Sequence, residues 1–292
     1  MLAHVKRRLR RQGGFQEEPM IFRLTCARVL AVSILMTLWC GRAMAQTTAP
    51  GLIHRYSFND GTARDSAGKI DGTLKGAAKI ADGKLVLDNT DKANGAKTSG
   101  DATLSYLEFS GSIIPKSGSA TLIVWITAPE NQPYCRIMDI GDTDPDTRVG
   151  QAFIYLVPHH DTGSKIGITA SDTGGKSSVD GDALDDGKPH MAAIVIDGDA
   201  KKLHFYIDGK EAGEAADLND NTLDGVHPVH NYMGRSLSDV DPGLTASIDE
   251  FRVYDRALPA SEVTATFKAG PDAFPTDVPA TAPTPAPAAG GK

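Results

Sequence analysis

Residues 186–211 read DGKPHMAAIVIDGDAKKLHFYIDGKE and contain the pattern that decides the fold. From Leu203 to Ile207 apolar and polar residues alternate strictly, which predicts a strand with one buried face and one wet face. Residues 192–196 are apolar at every position, which predicts a strand in the middle of packed layers. An Asp-Gly pair follows each run, and this pair is typical of tight turns with positive φ. The stretch therefore predicts an antiparallel meander.

Short runs of the same kind recur along the chain, separated by Gly, Asp, Asn and Pro. They predict strands at 52–58, 84–87, 106–110, 120–127, 136–140, 152–157, 165–170, 191–196, 203–207, 232–233 and 247–254. Residues 259–267 alone look helical, with Ser261 as the N-cap. More than ten strands without βαβ spacing predict an all-β fold, with two antiparallel sheets packed as a jelly-roll sandwich.

Both ends of the chain fall outside this core. Residues 20–45 begin with a basic segment, continue with an apolar run and end in Ala-Met-Ala, which is typical of a secretory signal that starts at Met20. The apolar run is roughly half as long as a membrane-spanning helix requires. We therefore predict no membrane span in the mature chain and a secreted, periplasmic or cell-surface location. Bulky Trp39 before Cys40 argues against a lipid anchor.

The mature chain is predicted to start after Ala45 and to hold one domain over residues 50–270. Residues 271–292 are rich in Pro and Ala, which predicts a disordered tail. Residues 1–45 carry eight basic and two acidic side chains, so their removal changes the formal net charge from −7 to −13. Such an acidic chain argues against nucleic-acid partners. Cys135 is then the remaining cysteine, which excludes an intramolecular disulfide and suggests a buried, inert thiol.

Four segments in order resemble one known family. They are LIHRYSFNDG (52–61), ATLIVWI (120–126), the hairpin region 186–210, and MGRS (233–236) followed by IDEFRVY (248–254). With these motifs the chain resembles the laminin-G-like jelly rolls of the concanavalin A-like lectin/glucanase superfamily. The resemblance implies a concanavalin A-like fold over residues 52–267. It implies no single function, because this fold serves lectins, hydrolases and adhesion modules.

A structural calcium ion is one expectation that follows from the resemblance. The family pattern favours Asp249 as a ligand, with carboxylates or carbonyls near Asn59 and Asp60. Calcium takes six to eight oxygen ligands from loops that can be far apart in sequence. We therefore predict Asn59, Asp60 and Asp249 as ligands of a Ca²⁺ ion that would tie the first strand to the last.

Catalysis is not favoured by the carboxylate pattern. Glycoside hydrolysis needs two carboxyl groups that converge on one bond, whereas Asp249 and Glu250 are neighbours on one strand and point to opposite faces. We expect one of them to fix a loop and the other to be solvated. A hydrolase that uses the acidic loop residues Asp144, Asp180 and Asp182 is the alternative.

The remaining interpretation is a binding module with its ligand at one end or one face of the sandwich. Sugars are held by exposed aromatic rings, and Tyr134, Tyr155 and Tyr232 are the rings that we predict to be exposed and to bind ligand. The partner would be a glycan, as for a lectin, or an extracellular or envelope protein. A structural spacer of the cell envelope is a third possibility.

Overall fold

A computed structural model describes residues 49–170 and 175–276. The predicted signal segment lies outside these residues. Eighteen strands and one α-helix, α1, are formed in the described part of the chain. The strands are β1 Leu52–Tyr56, β2 Gly72–Lys75, β3 Lys79–Ala81, β4 Lys84–Leu87, β5 Thr90–Asp91, β6 Gly95–Ala96, β7 Tyr106–Phe109, β8 Ala120–Thr127, β9 Met138–Thr143, β10 Gly150–Val157, β11 Ser164–Ile168, β12 Ser177–Gly181, β13 Pro189–Asp197, β14 Lys202–Ile207, β15 Lys210–Glu211, β16 Ala216–Asp217, β17 His230–Met233 and β18 Ala246–Tyr254, and α1 is Ala260–Ala269.

Two large antiparallel sheets make up the fold. The nine-stranded sheet has the order β15-β14-β13-β8-β18-β4-β3, with β1 beside β18 and β16 beside β14. The seven-stranded sheet has the order β12-β11-β10-β9-β17-β7-β2. β5 and β6 form a separate small ribbon. The prediction of a two-sheet all-β jelly-roll sandwich is confirmed.

The main core lies between the two sheets. Strands β8, β13 and β18 contribute one side of it and strands β9, β10 and β11 the other; its fully buried members include Leu122, Val124, Ile194, Phe251, Ile140, Ile154 and Ile166. A second apolar cluster lies on the outer face of the nine-stranded sheet, where Trp125 and Met191 pack with Val263 of α1. Trp125 is thus buried under the helix rather than between the sheets.

The two Asp-Gly turns of the decisive stretch differ in structure. Asp208 and Gly209 have φ values of 50° and 74°, as a tight two-residue hairpin requires. Between β13 and β14 the turn spans residues 198–201, and the positive φ of 54° falls on Lys201. Gly198 is needed there for space, because a Cβ atom would lie 2.3 Å from the carbonyl oxygen of Gly118.

The start of α1 and the region after it also differ from the prediction. Pro259 is the N-cap and makes no side-chain capping hydrogen bond, so the prediction of Ser261 was wrong. Pro fits this position because its fixed φ is compatible with a helix start. Residues 271–276, which we expected to belong to the tail, pack on the outer face of the nine-stranded sheet. The ring of Phe274 lies 4.6 Å from the guanidinium of Arg252 and 5.1 Å from that of Arg55.

Candidate functional site

The outer face of the seven-stranded sheet carries polar and aromatic side chains across its centre. Strand residues alternate between faces, and the neighbours Met138, Ile140, Ile154, Leu156 and Met233 all point into the core. Asp139, Tyr155 and Tyr232 therefore point outward. Tyr155 pairs with Asp139 across β9 and β10, and Tyr232 pairs with Asp139 across β9 and β17. The two tyrosines are thus two strand spacings apart, or about 10 Å.

Arg136 organises the middle of this face. Its Nε donates to Asp139 at 3.2 Å and its Nη2 lies 3.2 Å from Asp241. Its Nη1 donates to the carbonyl oxygen of Tyr134 at 2.7 Å. The guanidinium lies 5.1 Å from the centre of the Tyr155 ring, which is within cation–π range. We call these residues the Arg136 cluster.

Asp139 is the most deeply placed acid of the cluster. Its side chain is 1% exposed, and Oδ2 accepts hydrogen bonds from Arg136 and from the backbone N–H of Leu237 at 3.0 Å. Oδ1 has no hydrogen-bond partner. Desolvation by burial raises the pKa of Asp139 to about 6, although Arg136 acts in the opposite direction. A buried acid with an unsatisfied oxygen at the centre of an outer face marks a candidate functional site.

A second guanidinium lies beside this cluster. Arg235 lies 5.0 Å from the centre of the Tyr106 ring and 4.9 Å from that of Tyr232. Its Nη1 donates to the Tyr106 hydroxyl at 3.0 Å, and its Nη2 is 3.6 Å from Asp239. Its Nε has no partner. Because Asp239 is also paired with Arg148 at 3.1 Å, Arg235 shares its carboxylate with another cation. We call Arg235, Tyr106, Tyr232 and Asp239 the Arg235 cluster.

Lys176 also lies against the ring of Tyr155. Its ammonium lies 5.1 Å from the centre of the Tyr155 ring and 5.3 Å from that of Phe153. Desolvation, reinforced by the charge of Arg136, lowers the pKa of Lys176. Among residues 49–170 and 175–276, Lys176 makes no ion pair. This face therefore presents an uncompensated cation.

Two of the three predicted tyrosines contact Arg136, Tyr134 through its carbonyl oxygen and Tyr155 through its ring, whereas Tyr232 contacts Arg235. Tyr134 is 45% exposed and stands edge-on to His160, so its predicted exposure is confirmed. Tyr155 and Tyr232 are 5% and 7% exposed, and the prediction that they are exposed was wrong. The physical reason is the neighbouring side chains: Arg136, Lys176 and Phe153 lie against Tyr155, and Arg235, Tyr106 and His230 lie against Tyr232. Burial raises the pKa of both hydroxyl groups to about 12.

The predicted calcium ligands are each held by another group. Lys84 Nζ lies 2.5 Å from Asp249 Oδ2, and the amide of Asn59 donates to Asp272. Asp60 accepts hydrogen bonds from the backbone and the hydroxyl of Thr62 within its own turn. In this arrangement the donor set does not fit a calcium ion, because an ammonium group occupies the carboxylate of Asp249. No group of three or more metal-binding side chains is found in the described ranges.

Strict alternation between Asp249 and Glu250 does not hold, because β18 has a register shift between Ile248 and Glu250. Asp249 is partly exposed, whereas Glu250 is not. Glu250 is fully buried and accepts hydrogen bonds from Arg55 at 2.7 Å and from Arg252 at 2.5 Å. Burial opposes ionisation, yet these two guanidinium groups outweigh it and lower the pKa of Glu250. The guanidinium of Arg252 lies between the rings of Trp125 and Phe274, 4.6 Å from each ring centre. Glu250 is shielded from water because the segment after α1 covers this face.

The acids of the hydrolase alternative do not converge in the described structure. Asp144 accepts hydrogen bonds from Asp146, Thr147 and Gln151, which close its own turn. Asp180 pairs with Lys165 at 3.1 Å and is 70% exposed. Asp182 is exposed as well. Asp139, the buried acid of this outer face, was not singled out from the sequence.

Arg235 and Tyr106 were visible in the sequence without being recognised as site residues. Arg235 belongs to the MGRS segment that carries the family resemblance, and Tyr106 opens a predicted strand. Alternation along YLEF places Tyr106 and Glu108 on one face and the buried Leu107 and Phe109 on the other. That alternation was the available signal for Tyr106.

A two-sheet jelly roll with a polar, aromatic outer face is the class of protein that this fold and site define. A family model described as the concanavalin A-like lectin/glucanases superfamily matches residues 99–264, which is more than half of the chain. The chain belongs to this superfamily, in its laminin-G-like branch, and the resemblance drawn from the sequence is confirmed.

Solved structures share the fold at low identity. Domain 4 of AbnA, a GH43 extracellular arabinanase from Geobacillus stearothermophilus solved with arabinotriose, is 21% identical with a TM-score of 0.56 over 73% of this chain and 96% of that domain. The binding domain of Paraclostridial Mosquitocidal Protein 1 is 14% identical with a TM-score of 0.55, over 74% of this chain and 52% of that one. A botulinum neurotoxin type C structure, described in relation to two ganglioside molecules, is 11% identical with a TM-score of 0.56, over 75% and 51%.

At these identities the likeness concerns the fold alone. The chain spans about half the length of the two toxin structures. No curated protein matches the sequence. In the part of the chain that the structure describes, no helix is long and apolar enough to cross a membrane.

Proposed function

We propose that this protein is an exported, non-catalytic binding module that recognises a glycan on the outer face of its seven-stranded sheet. The observation that carries the proposal is the pair of guanidinium groups, Arg136 and Arg235, each held within about 5 Å of a tyrosine ring centre on one face. Planar donors held in place lose little conformational freedom on binding. They are therefore suited to hydrogen-bond acceptors of a sugar ring.

The unpaired polar atoms on the same face support this proposal. Asp139 Oδ1 and Arg235 Nε are buried without partners, and an unsatisfied buried group costs about 1–3 kcal/mol. A hydroxyl-bearing ligand offers both a donor and an acceptor, and it would satisfy these atoms once the side chains that cover them move aside. Two fold relatives support the proposal, because the arabinanase domain was solved with arabinotriose and the neurotoxin is described as interacting with gangliosides.

A glycan array probed with the purified chain tests the proposal, followed by titration of any hit. We expect Arg235→Met to weaken binding at least tenfold, or about 1.4 kcal/mol. Lys210→Met is the matched control, because Lys210 is an exposed cation on the nine-stranded sheet. Binding of a protein partner but of no glycan would overturn the glycan proposal in favour of the protein alternative. Equal effects of the two variants would move the site away from this face.

A glycoside hydrolase is the second candidate, and the buried Asp139 favours it. Ser236 Oγ lies 3.4 Å from Asp139 Oδ2 and 2.7 Å from Asp241 Oδ2. The two carboxylate oxygens are therefore at most about 6.1 Å apart. Retaining glycosidases place their carboxyl groups about 5–5.5 Å apart. A raised pKa is what a general acid needs. Turnover of chromogenic glycosides that is lost in Asp139→Asn would establish this activity, and absence of turnover in the parent protein would exclude it for those substrates.

Calcium binding by Asn59, Asp60 and Asp249 stays a separate proposal. It requires Lys84 to leave the carboxylate of Asp249, so Lys84→Met should strengthen it. An ion that binds the folded state raises the melting temperature by mass action. A calcium-dependent rise that is larger in Lys84→Met than in the parent protein would support the proposal. Identical melting curves with calcium and with chelator in both proteins would overturn it.

A further inference from the structure

The outer face of the seven-stranded sheet carries several cations, although the whole chain is acidic. Its described cations and anions nearly balance, although the whole chain has a formal net charge of −7. Most members are paired, such as Lys75 with Glu108 at 2.7 Å and Lys165 with Asp180 at 3.1 Å. Lys176 has no carboxylate partner in the described ranges, and Arg235 shares Asp239 with Arg148. Arg136, in contrast, is paired with two carboxylates, Asp139 and Asp241, so the unpaired positive charge lies at Lys176 and beside Arg235.

The unpaired ammonium of Lys176 lies against two rings, and the resulting desolvation is the largest cause of its lowered pKa. Arg136 and Lys165 also lower the pKa, whereas the carboxylates of Asp139 and Asp241 raise it without pairing with the ammonium. An isolated cation held near like charges is stabilised when an anion binds beside it. Lys176 itself is exposed, so a ligand can reach it without rearrangement.

The rings on this face are covered by cations rather than open. A sugar cannot stack on the face of Tyr232 or Tyr155 that a guanidinium or ammonium already occupies. The surface offered to a ligand consists of N–H donors with positive charge, and donors of this kind prefer charged acceptors. The two covered rings are separated by about two strand spacings, so one extended ligand can contact both.

We propose that this face binds an acidic oligosaccharide, whose carboxylate groups pair with Lys176 and Arg235. This inference rests on the proposed function and names its ligand class. Arg suits the flat carboxylate group because its donors form a planar fork. Lys176 contributes a point charge beside the ring of Tyr155.

The test compares oligogalacturonate with its methyl ester, which has the same backbone without charge. We expect the purified full chain to bind the acid at least tenfold more tightly than the ester, and added NaCl to remove this advantage. Lys176→Met should lower the affinity for the acid by a factor at least five times larger than the factor by which it lowers the affinity for the ester. Lys210→Met is the control, and it should change neither affinity.

The outcomes separate the inference from the proposed function. Equal affinity for acid and ester, with binding still sensitive to Arg235→Met, would overturn the acidic ligand and keep the glycan-binding face. A preference for sulfated over carboxylated oligosaccharides of one backbone would overturn the carboxylate assignment. Failure of every acidic and neutral glycan to bind would overturn both. Folding of each variant is verified by its circular dichroism spectrum, and Lys176→Gln replaces any variant that does not fold.

Discussion

The guanidinium of Arg235 lies 4.9 Å from the centre of the Tyr232 ring, on a face where the ring itself is only 7% exposed. This contact changes what the face can recognise. An open tyrosine would offer a flat apolar surface, whereas a covered tyrosine supports a flat array of hydrogen-bond donors. The tyrosines therefore act through the cations that they hold in position.

The pKa of Asp139 makes the stability of the domain depend on pH. This pKa is about 6 in the folded chain and about 3.9 in an unfolded one. Between these values the folded state binds more protons, so the free energy of unfolding falls as pH rises. We expect Asp139→Asn, which cannot ionise, to gain about 3 kcal/mol relative to the parent protein between about pH 4 and pH 7.

Urea unfolding of both proteins at the two pH values measures this difference. Asn keeps an oxygen that can accept from Arg136 and from Leu237 N, so the comparison isolates the charge. A difference between the two proteins that does not change with pH would show that Asp139 has an ordinary pKa.

The buried Glu250 makes a prediction about stability. Glu250→Gln leaves the guanidinium groups of Arg55 and Arg252 without their anion, and breaking a buried ion pair costs about 3–5 kcal/mol. Lys84→Met removes a partly exposed ion pair with Asp249 and should cost less than about 1 kcal/mol. Denaturant unfolding compares the two, and similar losses would mean that the buried cluster contributes no more than a surface pair.

Gly198 predicts a steric effect in the first hairpin. In Gly198→Ala the new Cβ would meet the carbonyl oxygen of Gly118 at 2.3 Å. Backbone atoms cannot move aside cheaply, so we expect a loss of about 2 kcal/mol or more. Gly175→Ala is the control, because a Cβ atom added at Gly175 would meet nothing within 4 Å. Thermal melting that gives equal values for both variants would contradict this role of Gly198.

Cys135 should be unreactive in the folded protein. It is fully buried, its Sγ lies 3.4 Å from the carbonyl oxygen of Gly243, and desolvation raises its pKa to about 12. Because the thiolate is the reacting form, labelling requires opening of the structure. We expect Ellman's reagent to label Cys135 at least a hundredfold more slowly in the native protein than in guanidinium chloride. A Cys26→Ser/Cys40→Ser background leaves Cys135 as the reporting thiol, and fast native labelling would argue for an exposed site.

Local sequence patterns were enough to predict the sandwich, because alternation and Asp-Gly turns depend on neighbours in the chain. Leu203 to Ile207 alternates in burial nearly as written, and Asp208-Gly209 forms the expected turn. The short edge strands β2, β3 and β12 were missed. Strands of three to five residues have too few positions to show a period, and their pairing is set by distant partners such as Phe109 opposite Gly72.

The candidate site was harder to predict because it depends on contacts across strands. Tyr134, Tyr155 and Tyr232 were chosen as rings, and the first two contact Arg136. The contact of Lys176 with Tyr155 joins residues that are far apart in the sequence, and no local pattern encodes it. Glu250 shows the same limitation, since its partner Arg55 is 195 positions away.

The positions of the first and last described residues have a consequence for how the domain can be tethered. Pro50 accepts a hydrogen bond from Arg256 at 3.0 Å, and Phe274 lies against Arg55 near the other described end. Both points of entry and exit are therefore on the side opposite Arg136 and Arg235. A fusion partner or a solid support attached next to Pro50 or Phe274 would therefore leave the face that carries Arg136 and Arg235 free.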